Sequence, residues 1–135
     1  MGELTIMKRI LFTYGTLKKG HGNHRVLDGA TYLGTASTEP TFTMLHLGGF
    51  PGIIRGGETA VQGELYKVTS QQMMDRLDRL EGHPTFYERQ PIKVNPSDGP
   101  EITVEAYVLP PEWASRCSSI SSGIWPPAGR KEAAS

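Results

Sequence analysis

Apolar and polar residues alternate along this chain in short runs, and that pattern predicts many brief strands and one helix. Lys8 to Thr13 is a β-prone run that reads as a buried strand and stops abruptly at Tyr14-Gly15-Thr16-Leu17. Further strands are expected over Thr31–Ala36, Thr41–Leu47, Gly52–Arg55, Val61–Val68, Tyr87–Val94 and Ile102–Leu109. Turn residues separate them: Glu39-Pro40, Gly48-Gly49, Gly56-Gly57 and the run Asn95 to Pro100. Gly63, inside a strand, marks a bulge or close packing. Asn23–Leu27 reads as a short helical turn.

The helix is expected over Ser70–Leu80, with Met73, Met74, Leu77 and Leu80 as its apolar stripe. Asp75, Arg76, Asp78 and Arg79 would form its solvated face. Thr69, three before Gln72, fits a capping box, and Gly82 supplies the stop. Beyond Pro110-Pro111 an irregular course is expected. Met1–Met7 reads as a loose leader and residues 128–135 as a disordered tail, leaving one domain over 8–127. Mostly antiparallel strands with few helices predict an α+β domain around a small barrel.

Composition narrows the function. A chain of 135 residues can bury a core without disulfide or metal staples. Its 14 basic and 14 acidic side chains cancel, so no long-range field draws it to nucleic acid or anionic lipid. Basic–aromatic interleaving of the nucleic-acid-binding kind is also lacking. The single Cys117 fits a reducing, cytoplasmic setting. No stretch has a signal-peptide profile or the apolar length of a membrane span.

Several residues carry candidate chemistry. Gly15 frees the backbone to turn and lets a ligand approach the main chain, whose N–H groups can form an anion or oxyanion site. Glu81 stands at the helix end, where the dipole disfavours its charge, and Phe86 or Tyr87 would desolvate it further. Position alone leaves it open whether Glu81 is a solvated carboxylate or a proton carrier. Arg89 and Tyr87 share one face of a strand; Arg89 reads as the partner of a structural acid or of a substrate carboxylate, Tyr87 as a strand aromatic or a pocket wall. Tyr14 is equally open between core and site. His21 and His24 lack a third ligand nearby, which argues against a metal site. Cys117 has no base beside it. Lys18 and Lys19 read as a solvated pair, with recognition of a substrate carboxylate as the alternative.

Tyr14-Gly15-Thr16-Leu17 followed by Asn23-His24-Arg25-Val26-Leu27 resembles the γ-glutamylcyclotransferase-like family, which includes the γ-glutamylamine cyclotransferases. Phe50-Pro51-Gly52, Val61 to Tyr66, Leu77 to Gly82 and Tyr87-Glu88-Arg89 extend the match in order. Ser122-Gly123-Ile124-Trp125 is similar to a C-terminal Ser-Gly-Asp-Trp, with Ile in place of the acid. The resemblance runs from about Lys8 to Trp125.

The resemblance implies a small mixed β-barrel and a metal-independent enzyme without cofactor. Glu81 matches the family's general acid/base. The substrate's α-amine would attack its own γ-carbonyl, forming 5-oxoproline and freeing an amine or amino acid. Tyr14, Gly15, Thr16, Leu17 and Tyr87 are the expected substrate-binding residues. Arg89, Phe50 and Pro51 would support them, with Phe50-Pro51 either cis or in a tight turn. The expected partner is a small γ-glutamyl substrate, with the chain a monomer or weak dimer. A non-catalytic binding or interaction module on the same fold is the competing reading.

Overall fold

The computed structural model describes residues 9–15, 17, 18, 20 and 24–126. The expected leader and tail, with Thr16, Lys19, His21 and Asn23, lie outside the described residues. The elements in order are β1 (Ile10–Thr13), β2 (Thr31–Thr38), β3 (Phe42–His46), β4 (Pro51–Arg55), β5 (Gln62–Lys67), the helix α1 (Gln71–Glu81), β6 (Glu88–Pro96) and β7 (Ile102–Val108). Short 3-10 helices cover His24–Leu27 and Pro111–Ser115.

Five strands close into a barrel in the order β1-β5-β2-β6-β7. All its pairings are antiparallel except β1 with β7, where Leu11 stands opposite Glu105. This is the mixed, mostly antiparallel α+β barrel the sequence predicts. β3 and β4 form a separate hairpin, tied on by the Leu109 N–H donating to the Ile53 carbonyl at 2.8 Å.

The unbroken apolar run of β1 has a reason in this architecture. Ile10 and Phe12 join the barrel interior with Leu65, Val104 and Val108. Leu11 points the other way, into a second core with Tyr66, Leu77 and Tyr107 beneath α1. Alternating faces of one strand therefore serve two cores. Close packing explains Gly63: a Cβ there would run into the Thr13 carbonyl and the Phe12 ring. The register irregularity lies instead in β2, between Tyr32 and Gly34.

The helix starts one residue later than expected. Ser70, not Thr69, is the N-cap: its hydroxyl accepts from the Met73 N–H at 3.1 Å, while the Thr69 hydroxyl donates to the Gly29 carbonyl. Gly82, at φ 72°, ends α1 in a left-handed turn; its N–H donates to Arg79 and that of His83 to Asp78. The last helical residue is thus Glu81. Nor is the segment after Pro111 irregular throughout: Ser119 bridges to Leu45, the Gly123 carbonyl accepts from Gln62, and Trp125 enters the barrel core. Among the described residues no helix is long and apolar enough to cross a membrane.

Candidate active site

The end of α1 faces a cavity of about 330 Å³. Helical geometry puts Glu81 there. At about 100° per residue, Glu81 falls between Leu77 and Met74, within the buried face. Leu80, expected in the apolar stripe, lies at the edge and is 43% exposed. The left-handed turn at Gly82 then folds the chain back, and the Tyr87 N–H donates to the Glu81 carbonyl at 3.3 Å. That return brings Phe86 and Tyr87 beside the Glu81 side chain as cavity walls. Burial pushes the Glu81 carboxyl up to about 7. Among the described residues that carboxylate has no hydrogen-bond or ion-pair partner.

Three tyrosines surround it, and each hydroxyl is committed elsewhere. Tyr14 donates to the Tyr107 carbonyl at 2.7 Å and accepts from the Ile53 N–H. Tyr87 donates to the Pro51 carbonyl at 2.5 Å, and Tyr107 to Asp78 at 2.7 Å. Burial raises all three hydroxyls well above their ordinary range, so they remain protonated donors. They tie β1, the β3–β4 hairpin and β7 around the cavity and leave the carboxyl of Glu81 unpaired within it.

The opposite wall is the chain after β1. Tyr14, Gly15 and Leu17 line the cavity; Thr16 is outside the described residues. The Lys18 N–H donates to the Gly15 carbonyl at 3.1 Å, closing the turn, and His24 Nδ1 sits 3.0 Å from the Leu17 carbonyl. Lys18 is not solvated as expected: its ammonium donates to the Trp125 carbonyl at 2.6 Å, and burial lowers its pKa. Gly15 packs on Pro51, whose ring carbons would stand 2.9 Å from an added Cβ. Phe50 and Pro51 complete this wall, with the turn closed by the Leu47 N–H on the Phe50 carbonyl. The cis possibility is corrected: the cis bonds among the described residues are His83–Pro84 and Trp125–Pro126, and Phe50–Pro51 is trans. Pro51 opens β4, an extended position where its missing N–H is tolerated.

Arg89 does not line the cavity. Its guanidinium forks onto Asp78 at 2.9 and 3.0 Å and reaches Glu105 at 2.8 Å. Asp78, assigned to the solvated face from sequence, is therefore half-buried in a network with Arg89 and Tyr107. Burial alone would raise its pKa, but hydrogen bonds from Arg89 and Tyr107 and the charge of Arg89 outweigh that and hold it below the ordinary range. Sequence reasoning missed Asp78 and Tyr107. A signal existed for Asp78, four residues after Met74 and so on the same side of the helix. For Tyr107 it was weaker: a polar-tipped aromatic between the barrel-facing Ala106 and Val108.

His24 contacts the Leu17 carbonyl, and its expected companion His21 is outside the described residues. Among the described residues no three His, Cys, Asp or Glu side chains stand together as a metal-ligand set. Cys117 packs at the edge of the second core.

A family model described as gamma-glutamyl cyclotransferase, AIG2-like, matches residues 11–127. A Vibrio cholerae protein, provisionally named a gamma-glutamylcyclotransferase, is 37% identical over 119 residues, covering 88% of this chain and 96% of that one. A gamma-glutamylaminecyclotransferase from Rattus norvegicus is 34% identical over 122 residues, covering 76% and 81%. The crystal structure of an AIG2-like protein from Mus musculus, 29% identical, superposes with a TM-score of 0.71 over 84% of this chain and 86% of that one.

Proposed function

The chain belongs to the gamma-glutamyl cyclotransferase, AIG2-like family, and on that footing we propose that it is an enzyme releasing 5-oxoproline from γ-glutamyl amines or γ-glutamyl amino acids. The observation that carries this reading is the desolvated Glu81 carboxyl, unpartnered among the described residues and facing a cavity. At about 330 Å³ the cavity is at the small end of ligand pockets, suited to a glutamyl head with its leaving group at the mouth.

The substrate carries its own nucleophile. Glu81, ionised, takes a proton from the α-ammonium group. The freed amine attacks the γ-carbonyl carbon and closes the five-membered ring. Charge on the carbonyl oxygen falls to main-chain N–H groups in the Tyr14–Leu17 turn. Since the Lys18 N–H is used within that turn, Gly15 and Leu17 are the described candidates. Losing such a donor typically costs about 3–4 kcal/mol of barrier. The bond from the carbonyl carbon to the leaving nitrogen then breaks as Glu81 gives its proton to that nitrogen. The second proton, shed by the ring nitrogen as it becomes the lactam N–H, follows through Glu81, so that the leaving group departs as an ammonium. A carboxyl titrating near 7 suits both transfers at neutral pH. The walls of Tyr14, Tyr87, Phe50 and Pro51 hold amine and carbonyl in attack geometry. Arg89 acts as a positioning residue, keeping Asp78 and so Tyr107 in place.

The test is a screen of γ-glutamyl dipeptides, γ-glutamyl-ε-lysine and γ-glutamyl polyamines for 5-oxoproline release. Turnover of at least one is expected. Release from none, with binding retained, would turn the reading to a non-catalytic module.

A further inference from the structure

Past Leu80 the surface changes character. Leu80 lines the Glu81 cavity on one side and, on the other, an open cleft that it shares with Arg25, Asp28, Arg76 and Arg79. Arg76 and Arg79 lie three apart on α1, with Leu80 four after Arg76, so all three share its outer face. Arg25 comes from the 3-10 helix His24–Leu27, which packs on α1. Among the described residues the guanidinium groups of these three arginines have no hydrogen bond or ion pair, unlike those of Arg89 and Arg55, which are both committed. The chain as a whole is neutral, so three arginines facing the single Asp28 concentrate positive charge at this spot.

Leu80, the residue next to Glu81, borders both the cleft and the cavity. The leaving nitrogen must come within hydrogen-bond reach of Glu81. Whatever is attached to that nitrogen continues out through the mouth, and one way out is over Leu80. We propose that this arginine cleft is an acceptor subsite, and that the preferred leaving group is an acidic amino acid, one whose side chain carries a second carboxylate. The proposal rests on the cyclotransferase reading and names its substrate class. A dianion meets an excess of two positive charges, three arginines against one aspartate. Arginine forks suit carboxylates. A polycationic leaving group would be repelled from the same place.

An isosteric pair tests it. γ-Glutamyl-glutamate and γ-glutamyl-glutamine differ in one charge and hardly in shape. At low salt kcat/KM should favour the glutamate compound by about fivefold, as exposed arginine–carboxylate contacts allow. The preference should shrink toward one in molar salt, where charges are screened within about 3 Å. It should also collapse in the double variant Arg76→Gln/Arg79→Gln, with thermal melting run beside it to verify the fold. A preference for the glutamine compound, or one untouched by salt and by the double variant, would overturn the subsite and leave the enzyme reading standing. Release of 5-oxoproline from neither compound, nor from any γ-glutamyl amine, would overturn the function and the subsite with it.

Discussion

Asp78 and Glu81 stand one helical turn apart on α1, and their surroundings send them in opposite directions. Asp78 is held on both oxygens by Arg89 and receives the Tyr107 hydroxyl, so it stays ionised below the usual carboxylate range. Glu81 has the same chemistry, is the more deeply buried of the two and has no partner among the described residues, and it rises to about 7. Burial pushes both upward; partnering decides the outcome. A paired carboxylate builds structure. A solitary one is free to exchange a proton with a ligand.

That contrast can be broken at its active end first. Glu81→Gln keeps the shape and removes the proton shuttle, so turnover should fall by about a hundredfold or more, the usual weight of general acid/base catalysis. Rate and melting should be measured together. Retention of more than about a tenth of the rate with the fold intact takes Glu81 out of the acid/base role.

The two carboxylates should also leave opposite marks on stability. The folded state holds a proton on Glu81 more tightly than the unfolded chain does. Stability from this group is therefore present in full below the ordinary value of 4.5 and declines as pH rises to about 7. The loss is up to about 3 kcal/mol across that window, and it should vanish in Glu81→Gln. Denaturant melts from pH 4.5 to 8 would show it. Asp78 behaves the other way: its contribution stands above 3.8 and fades as pH falls below. Asp78→Ala should cost about 2 kcal/mol by stranding Arg89 and Tyr107. It should leave Glu81 titrating above its ordinary value, because burial, and no hydrogen bond to Asp78, is what raises it. Smallest is Gly15→Ala. Its methyl would press on Pro51, shifting the cavity wall for about 1 kcal/mol of stability and raising KM more than it lowers kcat.

Most of the barrel was legible because its signals are local. Alternation marks β5 and β7, the Asn95–Pro100 run marks the turn near the end of β6, and the apolar stripe with Gly82 marks α1. Glu81 was legible as a helix-end acid that Phe86 or Tyr87 would desolvate, whereas its lack of a partner shows only in the assembled fold. Counting from Met73, Met74 and Leu77 places Glu81 inside the apolar face, between Leu77 and Met74, and leaves Leu80 at the rim. Asp78 was misread because a charge at a helical edge looks solvated until its partners appear, and Arg89 and Tyr107 come from strands 11 and 29 residues away in sequence. The Lys18–Trp125 contact spans 107 residues and has no local signature at all.

The most direct test of the central claim is a site-resolved titration of both carboxyls, by 13C NMR in the intact chain with no substrate present. The account predicts that the Glu81 carboxyl titrates near 7 while Asp78 remains ionised down to below its ordinary 3.8. A Glu81 midpoint near 4.5 would contradict it, because the carboxyl would then be solvated or partnered and no better suited to carry a proton at neutral pH than any surface glutamate.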